Sequence, residues 1–292
     1  MDFKATLNNY QIRVEQGINI WTPTKDTKPA QLHSAMRYSL EAGGKRLRPV
    51  LVLAIAELFE ASEDSMPAAI ALECIHTYSL IHDDLPSIDN SDLRRGKPTC
   101  HKAFDEPTAL LAGDALLTLA FEILAEAYSD SPLLAKDLIL DLSKAAGSQR
   151  LIGGQMEDIL GEDSDYTEEQ LDYIHLNKTA ALITVAMTMG ARLGKASSQE
   201  LDAIRKIGRH VGLAFQITDD ILDATSDTET MGKPTGADEE NEKTTYIKLY
   251  GLDEARVQAK EHTQAATKLC GSLSHNTEFL KALVQYLEHR IR

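Results

Sequence analysis

The sequence predicts an all-α fold, a single domain of roughly ten to thirteen helices that spans residues 1–292. Apolar residues recur at helical spacing along most of the chain. No segment shows a persuasive alternation of apolar and polar residues, and no unit repeats at the period of a solenoid. With 292 residues, of which 43% are hydrophobic, the chain is long enough to bury one large core.

The first part of the chain is predicted to contain three apolar helices. A helix over residues 31–40 ends at Gly43-Gly44, because glycine readily adopts the left-handed backbone that closes a helix. The helix 49–59 begins with a proline, which is favoured there because its missing N–H would have had no partner. The apolar run 67–82 forms the third helix, and Pro86 forces this helix to end or distort.

The remaining helices follow from the same spacing. Thr167 and Gln170 form a capping-box pattern that starts a helix near Glu168. The polar segment 225–241, with its glycines and acids, is predicted to be a loop that closes over bound substrate. Further helices are predicted over 108–127, over 132–159 as one or two helices, and over 168–193, 198–223, 252–273 and 277–291.

The composition argues against several classes of partner. The formal net charge is −15 and the pI is about 5.0, which argues against nucleic acid or an anionic membrane as a partner. Nothing resembles a signal peptide, and no run reaches about 18 apolar residues, so we expect no stable membrane anchor. Cys74, Cys100 and Cys270 form no metal-binding pattern, and we expect them to be packing residues of a cytoplasmic protein.

Two clusters of aspartates lie at the ends of apolar runs. The clusters consist of Asp83, Asp84 and Asp89, and of Asp219, Asp220 and Asp223. Carboxylates held close together repel one another unless protons or cations neutralise them. Their oxygens suit Mg²⁺, which commonly binds a few carboxylates together with substrate phosphates. One such cluster is common on surface helices, but two, each followed by a loop with lysine and glycine, favour a shared site for metal and phosphate.

Arginines and lysines accompany both clusters. Arginine binds phosphate oxygens with a planar fork and lysine binds them as a point charge. A solvated basic loop is the alternative for any one group taken alone. Because these cations exceed what one diphosphate requires, we expect two phosphorylated substrates. The residues are Lys45, Arg48, Arg94, Arg95, Lys178, Lys233 and Lys243.

Further short motifs extend along nearly the whole chain. They are Gly43-Gly44-Lys45-Arg46-Leu47-Arg48-Pro49, the Asp-Asp-x-x-x-x-Asp pattern of Asp83 to Asp89, Leu93-Arg94-Arg95-Gly96-Lys97-Pro98-Thr99, Gly113-Asp114, Lys178-Thr179, Phe215 to Asp223 and Gly232-Lys233. In this order they resemble the motifs of the trans-isoprenyl diphosphate synthases. The resemblance is closest to the bacterial-type farnesyl diphosphate synthases, or geranyltranstransferases.

The resemblance implies the isoprenoid synthase fold, with helices around a central cavity, and a homodimer. It implies a prenyltransferase that joins isopentenyl diphosphate to an allylic diphosphate. The implied cofactor is Mg²⁺, as several ions, with Mn²⁺ as a substitute. In the implied reaction the allylic diphosphate ionises, the isopentenyl double bond attacks, and the departing pyrophosphate takes up the proton that is lost.

Carried over by position, the resemblance assigns roles to individual residues. It places Mg²⁺ on Asp83, Asp84, Asp89 and Asp219, and less directly on Asp220 and Asp223. It places the allylic diphosphate on Arg94, Lys178 and Lys233, and isopentenyl diphosphate on Lys45, Arg48, His76 and Arg95. Lys243, from the set of cations above, is a further expected substrate contact that the resemblance does not assign. Thr179 and Gln216 would present oxygens near the allylic cation, and Gln155 and Asp158 would orient the groups that bind the ligands.

Product length is predicted from the residues just before the first cluster. Helical spacing places Ser79 one turn before Asp83 and nearly on its face, with Tyr78 beside it. The resemblance makes Tyr78 the floor of the product pocket, because an aromatic ring there goes with short products in the family. The ring blocks further growth by overlap. We therefore expect farnesyl diphosphate, the C15 product, made from dimethylallyl or geranyl diphosphate.

Other functions share parts of this pattern. A geranylgeranyl diphosphate synthase has the same chemistry and a longer, C20 product. A class I terpene cyclase needs no separate isopentenyl site of the kind formed by Lys45 and Arg48. A non-catalytic regulatory subunit would carry a damaged aspartate cluster, and a cation-binding scaffold would need no arginine loops. Two positions depart from the family pattern: Asn90 replaces an acid, and Ile247 stands where proline is expected.

Overall fold

The computed structural model describes residues 1–161, 167–225 and 245–288, and these residues form the predicted all-α architecture. Two predicted substrate-binding residues, Lys233 and Lys243, lie outside the described residues, as does nearly all of the predicted loop 225–241. Within the described ranges, strands occur only in one two-stranded hairpin, which the sequence did not predict. That the whole chain forms one domain stays a prediction.

Four helices form the N-terminal part of the structure. They are α1 (Phe3–Trp21), α2 (Ala30–Leu40), α3 (Leu47–Leu58) and α4 (Met66–Asp83). The sequence did not predict α1, because its composition is polar overall, yet it buries Val14 and Ile18 in the core. α3 begins at Leu47, slightly before the predicted start at Pro49.

A short hairpin and four further helices follow. β1 (Leu93–Arg94) pairs antiparallel with β2 (Lys97–Pro98). The turn between them has φ angles of 55° at Arg95 and 74° at Gly96, the positive values of a type I′ hairpin turn. The next helices are α5 (Cys100–Ala103), α6 (Glu106–Ala127), α7 (Pro132–Ala146) and α8 (Leu151–Leu160), so the predicted segment 132–159 holds two helices.

The second half of the structure contains one π-helical turn between two α-helices. α9 (Glu168–Ile174) begins with the predicted capping box of Thr167 and Gln170. It continues through the π-helical turn (His175–Ala180) into α10 (Ala181–Leu193). The last helices are α11 (Ser198–Thr225), α12 (Tyr246–Tyr250), α13 (Leu252–Gly271) and α14 (Glu278–Glu288).

The core is centred on α3, α4 and α10. α10 packs against α3 and α11, and α4 packs against α6 and α3. A second apolar cluster, around Ile217, Ile221 and Tyr246, joins α11 to α12 and α13. The three cysteines are buried and free, as predicted. The helix ends that carry the two aspartate clusters are therefore anchored in packed side chains.

α6 is the one helix of the described ranges that has the length and apolar composition to cross a membrane. Core helices of soluble proteins pass the same test. α6 packs against α4 and α2, and it buries Ala112, Leu116 and Leu124 there. These contacts are those of a helix that covers a protein core.

Candidate active site

The first aspartate cluster lies at the C-terminal end of α4. Asp83 is the last residue of this helix, which ends before Pro86 as predicted. The loop then folds back, so that the N–H of Asp89 donates to the carbonyl oxygen of Asp83 at 2.9 Å. Asn90 has a φ of 46°, a left-handed conformation that asparagine adopts more readily than most residues. The loop therefore holds Asp89 beside the end of the helix.

Burial and neighbouring charge set the protonation of this cluster. Burial raises the pKa of Asp83 to about 6, while the Lys178 cation opposes the rise and the Asp89 carboxylate adds to it. Burial also raises the pKa of Asp84, against the hydrogen bonds and charge of Arg94. A divalent cation that binds here would replace protons as the neutralising charge.

The β1–β2 hairpin brings two arginines to the cluster. Arg94 donates from Nε and Nη2 to both carboxylate oxygens of Asp84, at 2.6 to 2.9 Å. Arg95 donates to the backbone carbonyl of Gly43. Its guanidinium also packs against Gly44, where a Cβ would overlap it. The glycine pair therefore follows the end of α2 and also makes room for a hairpin arginine at the basic loop, Lys45 to Arg48.

The basic loop leads into the first turn of α3 and directs Arg46 into the core and Arg48 towards the site. Arg46 has a φ of 52° and donates to the buried carboxylate of Glu73 at 2.6 Å. Arg48 lies 3.3 Å from His76, measured between Nη1 and Nε2. Burial, followed by the nearby arginines, keeps the pKa of His76 well below its ordinary value, so the ring is neutral. Burial lowers the pKa of Arg48 to about 10, which leaves it charged at neutral pH.

The second aspartate cluster lies near the end of α11. Asp219 is half-buried, whereas Asp220 and Asp223 are buried. Protein donors hold both oxygens of Asp220: the Gln216 amide donates to Oδ1 at 2.9 Å, and the N–H of Tyr246 donates to Oδ2 at 3.2 Å. Burial raises the pKa of Asp220 to about 7. Asp220 thus joins α11 to α12 and leaves Asp219 as the more accessible carboxylate.

Tyr246 makes further contacts around Asp220. Its hydroxyl donates to Asp172 at 2.8 Å, and its ring stacks on His175 with centroids 5.0 Å apart. Nε2 of His175 lies 3.7 Å from Oδ2 of Asp220. Burial lowers the pKa of His175 to about 4, so this ring is neutral. α9, the π-helical turn and α12 therefore surround the buried carboxyl of Asp220.

The π-helical turn carries two predicted site residues, Lys178 and Thr179. Gly154 of α8 lies so close to the backbone of Lys178 that a Cβ would overlap it. This close packing brings Asp158, one turn later on α8, to 2.6 Å from the Nζ of Lys178. π-helical turns within α-helices are rare and occur frequently at functional sites. Gly154 therefore lets α8 approach and orient Lys178.

Thr179 and Gln216, whose oxygens the family resemblance places near the allylic cation, are hydrogen-bonded to each other. The Thr179 hydroxyl donates to Oε1 of Gln216 at 2.7 Å, and the Gln216 amide donates onward to Asp220. A continuous chain of hydrogen bonds therefore runs from the π-helical turn to the second aspartate cluster.

Charge interactions join the predicted groups into one site. The charge of the Asp219 carboxylate opposes the lowering of the Arg48 pKa, so the second cluster lies close enough to the basic loop for their charges to interact. The charge of Lys178 lowers the pKa of Asp83, so the π-helical turn lies close enough to the first cluster for their charges to interact. Lys45 is exposed at the start of the basic loop. The structure thus places the two clusters and the basic loop around a shared region.

The residues of this region fit Mg²⁺ with a bound diphosphate. Within the described ranges, no three carboxylate, histidine or cysteine side chains converge on one cation position. Mg²⁺ does not require such a closed set, because it retains waters and takes phosphate oxygens as ligands beside one or two carboxylates. The buried Nε of Arg48 and the buried amide nitrogen of Gln155 have no hydrogen-bond partner among the described residues. Diphosphate oxygens and their waters would satisfy such donors.

Tyr78 and Ser79 lie one turn before the first cluster. Tyr78 is buried, and its ring packs edge-on against His82 with centroids 5.8 Å apart. Burial, with the charge of Asp83, raises the pKa of Tyr78 to about 12, so its hydroxyl stays neutral. The Ser79 hydroxyl donates to the carbonyl oxygen of His76 at 2.9 Å and is thus directed at its own helix.

Four residues that complete the site were not predicted from the sequence. They are Glu73, Asp172, His175 and Tyr246. Only Glu73 carries a signal, because an acid inside the apolar run 67–82 requires a cationic partner when buried. Asp172, His175 and Tyr246 come together only through the packing of α9 and α12 on α11, and no local sequence pattern predicts that packing.

Comparisons with known proteins find similarity over nearly the whole chain. Residues 29–287 match the sequence model of the polyprenyl synthetase family. The farnesyl diphosphate synthase of Bacillus subtilis is 43% identical over 280 residues, which cover 95% of this chain and 94% of that protein. The chloroplastic heterodimeric geranylgeranyl pyrophosphate synthase large subunit 1 of Arabidopsis thaliana is 45% identical over 297 residues, 99% of this chain and 80% of that protein.

The same similarity holds for solved structures. A geranyltransferase from Helicobacter pylori, complexed with magnesium and isoprenyl diphosphate, matches 100% of this chain and 98% of its own. The TM-score is 0.86 and the sequence identity is 33%. The two sequence relatives have names with different products, farnesyl and geranylgeranyl diphosphate.

Proposed function

The chain belongs to the polyprenyl synthetase family, whose members elongate prenyl chains, and on that premise we propose that it is a farnesyl diphosphate synthase. It joins isopentenyl diphosphate head to tail with dimethylallyl or geranyl diphosphate and releases pyrophosphate. The observation that carries this proposal is that each aspartate cluster interacts electrostatically with a cation of the site, Asp219 with Arg48 and Asp83 with Lys178.

In this proposal the two clusters hold Mg²⁺ on the allylic diphosphate. Asp83, Asp84 and Asp89 supply oxygens from α4 and its loop, and Asp219 supplies them from α11 with Asp223 in support. Asp220 orients Asp219, since protein donors already engage both of its oxygens. Bound Mg²⁺, as several ions or with Mn²⁺ in its place, supplies charge that stabilises the departing pyrophosphate.

The cations divide two diphosphates between them. Arg94 and Lys178 bind the allylic diphosphate, and each is held ready by an acid, Asp84 or Asp158. Isopentenyl diphosphate binds the group formed by Lys45, Arg48, His76 and Arg95. Lys233 and Lys243 are proposed as further substrate contacts and lie outside the described residues.

The chain's side chains then assist three events. The allylic carbon–oxygen bond breaks, both electrons leave with pyrophosphate, and Arg94 and Lys178 stabilise its charge. The oxygens of Thr179 and Gln216 face the allylic cation. The double bond of isopentenyl diphosphate attacks that cation and forms the new carbon–carbon bond. A proton passes from the resulting cation to the departing pyrophosphate, which restores a double bond.

Tyr78 supports the farnesyl product over a longer one. A buried aromatic ring one turn before the first cluster leaves little space for further isoprene units. The second candidate is a geranylgeranyl diphosphate synthase, which the similarity to the Arabidopsis subunit favours. The two candidates share every step of the chemistry and differ at the end of the product pocket.

We also propose a cytoplasmic homodimer that associates through α6, α7 and α8. Large exposed apolar side chains on these helices are Leu110, Leu111, Leu133, Leu140, Ile152, Met156 and Leu160. α7 packs against both α6 and α8, so these side chains lie on neighbouring helices, and exposed apolar surface of this kind favours association. The free cysteines are in keeping with a reducing compartment.

Product sizing tests the proposed function. The protein is incubated with Mg²⁺, labelled isopentenyl diphosphate and each allylic primer, and the dephosphorylated products are separated by length. We expect C15 alcohol from dimethylallyl and geranyl diphosphate and no further growth from farnesyl diphosphate. A C20 product would favour the second candidate, and an absence of turnover with every primer would reject both.

A further inference from the structure

The proposed mechanism assigns no role to the Gly113-Asp114 motif of α6. Gly113 faces the last turn of α4, and a Cβ placed on it would overlap the imidazole of His82. Nε2 of His82 lies 3.0 Å from the carbonyl oxygen of Leu110, which accepts its hydrogen. His82 therefore rests on the backbone of α6, and glycine at position 113 leaves room for the ring.

His82 in turn contacts Tyr78. The two residues lie one turn apart on the same face of α4. Their rings meet edge to face, with centroids 5.8 Å apart and planes at 74°. The hydroxyl of Tyr78 is buried and has no hydrogen-bond partner among the described residues. No polar contact within those ranges fixes the phenol ring, so its orientation depends on packing against neighbours such as His82.

We infer that His82 is a positioning residue that sets product length. Anchored on Leu110 and Gly113, it holds Tyr78 in the orientation that ends the product pocket. This inference rests on the proposed function, in which Tyr78 is the floor of that pocket. Removing the imidazole opens space beside Tyr78, the phenol ring turns into that space, and the pocket lengthens although Tyr78 itself is unchanged.

Asp114 provides a matched control for this inference. Its Oδ1 lies 3.9 Å from Nε2 of His82, which is beyond hydrogen-bonding distance, and its side chain is 58% exposed. Asp114→Asn therefore removes a charge beside His82 and leaves the contacts with Leu110, Gly113 and Tyr78 in place.

The experiment compares product lengths from labelled isopentenyl diphosphate, geranyl diphosphate and Mg²⁺. In His82→Ala we expect the ratio of C20 to C15 product to rise about tenfold over the wild type, the change that loss of one aromatic contact produces. Asp114→Asn should keep the wild-type ratio. The double variant with Tyr78→Ala should give the products of Tyr78→Ala alone, because His82 acts through Tyr78.

A second variant and a second readout keep the test decisive. His82→Gln retains an amide N–H for Leu110 without the ring, so we expect a smaller rise in C20 product and a stable fold. The Mg²⁺ concentration for half-maximal activity should match the wild type, which separates this role from a disturbance of Asp83. C15 product alone from both His82 variants, beside longer products from Tyr78→Ala, would overturn the inference. Unchanged C15 product from Tyr78→Ala would instead overturn the proposed floor.

Discussion

The guanidinium of Arg94 donates to both carboxylate oxygens of Asp84, with Nε and Nη2 at 2.6 to 2.9 Å from them. Arg94 is proposed to bind the allylic diphosphate, and Asp84 is proposed to bind Mg²⁺. In the absence of both ligands the two side chains bind each other instead. Mg²⁺ on Asp84 would release Arg94 for the allylic diphosphate. The pair therefore links the binding of metal to the binding of substrate.

Asp84→Asn should weaken this link. In the variant Arg94 loses its charged partner, so we expect a non-reactive allylic diphosphate analogue to bind more tightly than to the wild type when EDTA removes all metal. With Mg²⁺ present the order should reverse, because the variant lacks a metal ligand. Calorimetric titrations in both conditions measure the four affinities. Asp92→Asn, which removes an exposed partner of Lys102, is the control and should match the wild type in both.

Glu73→Gln should destabilise the fold. Glu73 and Arg46 form an ion pair of 2.6 Å whose side chains are almost fully buried, and removing one partner leaves a buried charge, at a cost of about 3 kcal/mol. Glu15 binds the same guanidinium at 2.7 Å but is 46% exposed, so Glu15→Gln should cost under about 1 kcal/mol. Urea unfolding measures both free energies. Equal losses from the two variants would contradict this account of the basic loop.

Asp219→Asn should reduce activity more than Asp220→Asn. Asp219 is proposed to bind metal directly, whereas Asp220 is engaged by Gln216 and Tyr246 and acts on its neighbour. A group that only orients a metal ligand is worth about 10- to 100-fold, and we expect Asp220→Asn to fall within that range. Steady-state kcat at saturating Mg²⁺ ranks the variants. A larger loss from Asp220→Asn would assign direct metal binding to Asp220.

The stability of the metal-free protein should carry a pH dependence that comes from Asp83. Burial raises the pKa of this carboxyl from 3.8 to about 6, so the folded state binds its proton more tightly than the unfolded state does. The stabilisation is fully present below about pH 4 and is lost as the pH rises through about 6. Thermal melts in EDTA should show a smaller loss in Asp83→Asn than in the wild type, because Asp84 and Asp220 keep their own raised pKa values in the variant. Mg²⁺ should raise the wild-type Tm more at pH 7 than at pH 5.

The sequence predicts much of this site because its chemistry is encoded in local clusters. Each aspartate cluster is continuous in the chain and stands at the end of an apolar run, so its position on a helix end follows from periodicity alone. Pro86 and the Thr167–Gln170 capping box mark helix limits by local backbone chemistry, and both limits are observed.

What the sequence does not predict depends on contacts between distant segments. α1 has a polar composition and becomes a core helix through a few buried residues. The inward turn of Arg46 depends on Glu73 of another helix. The closure around Asp220 joins residues of three elements, and the type I′ hairpin that carries Arg94 is too short to show an alternating pattern.

The condensation rate of Asp83→Ala tests the central claim most directly, namely that the two aspartate clusters form one metal-dependent prenyl transfer site. Pyrophosphate release and product formation are measured with geranyl diphosphate, isopentenyl diphosphate and saturating Mg²⁺, and circular dichroism records the fold. We predict that the helical spectrum and the cooperative melt are retained, because Asp83 is the last residue of α4, its side chain is only partly buried, and alanine is a good helix former. The rate should fall by at least about 100-fold, the cost of losing one group that stabilises developing charge. A folded variant that condenses the substrates at the wild-type rate would contradict the claim.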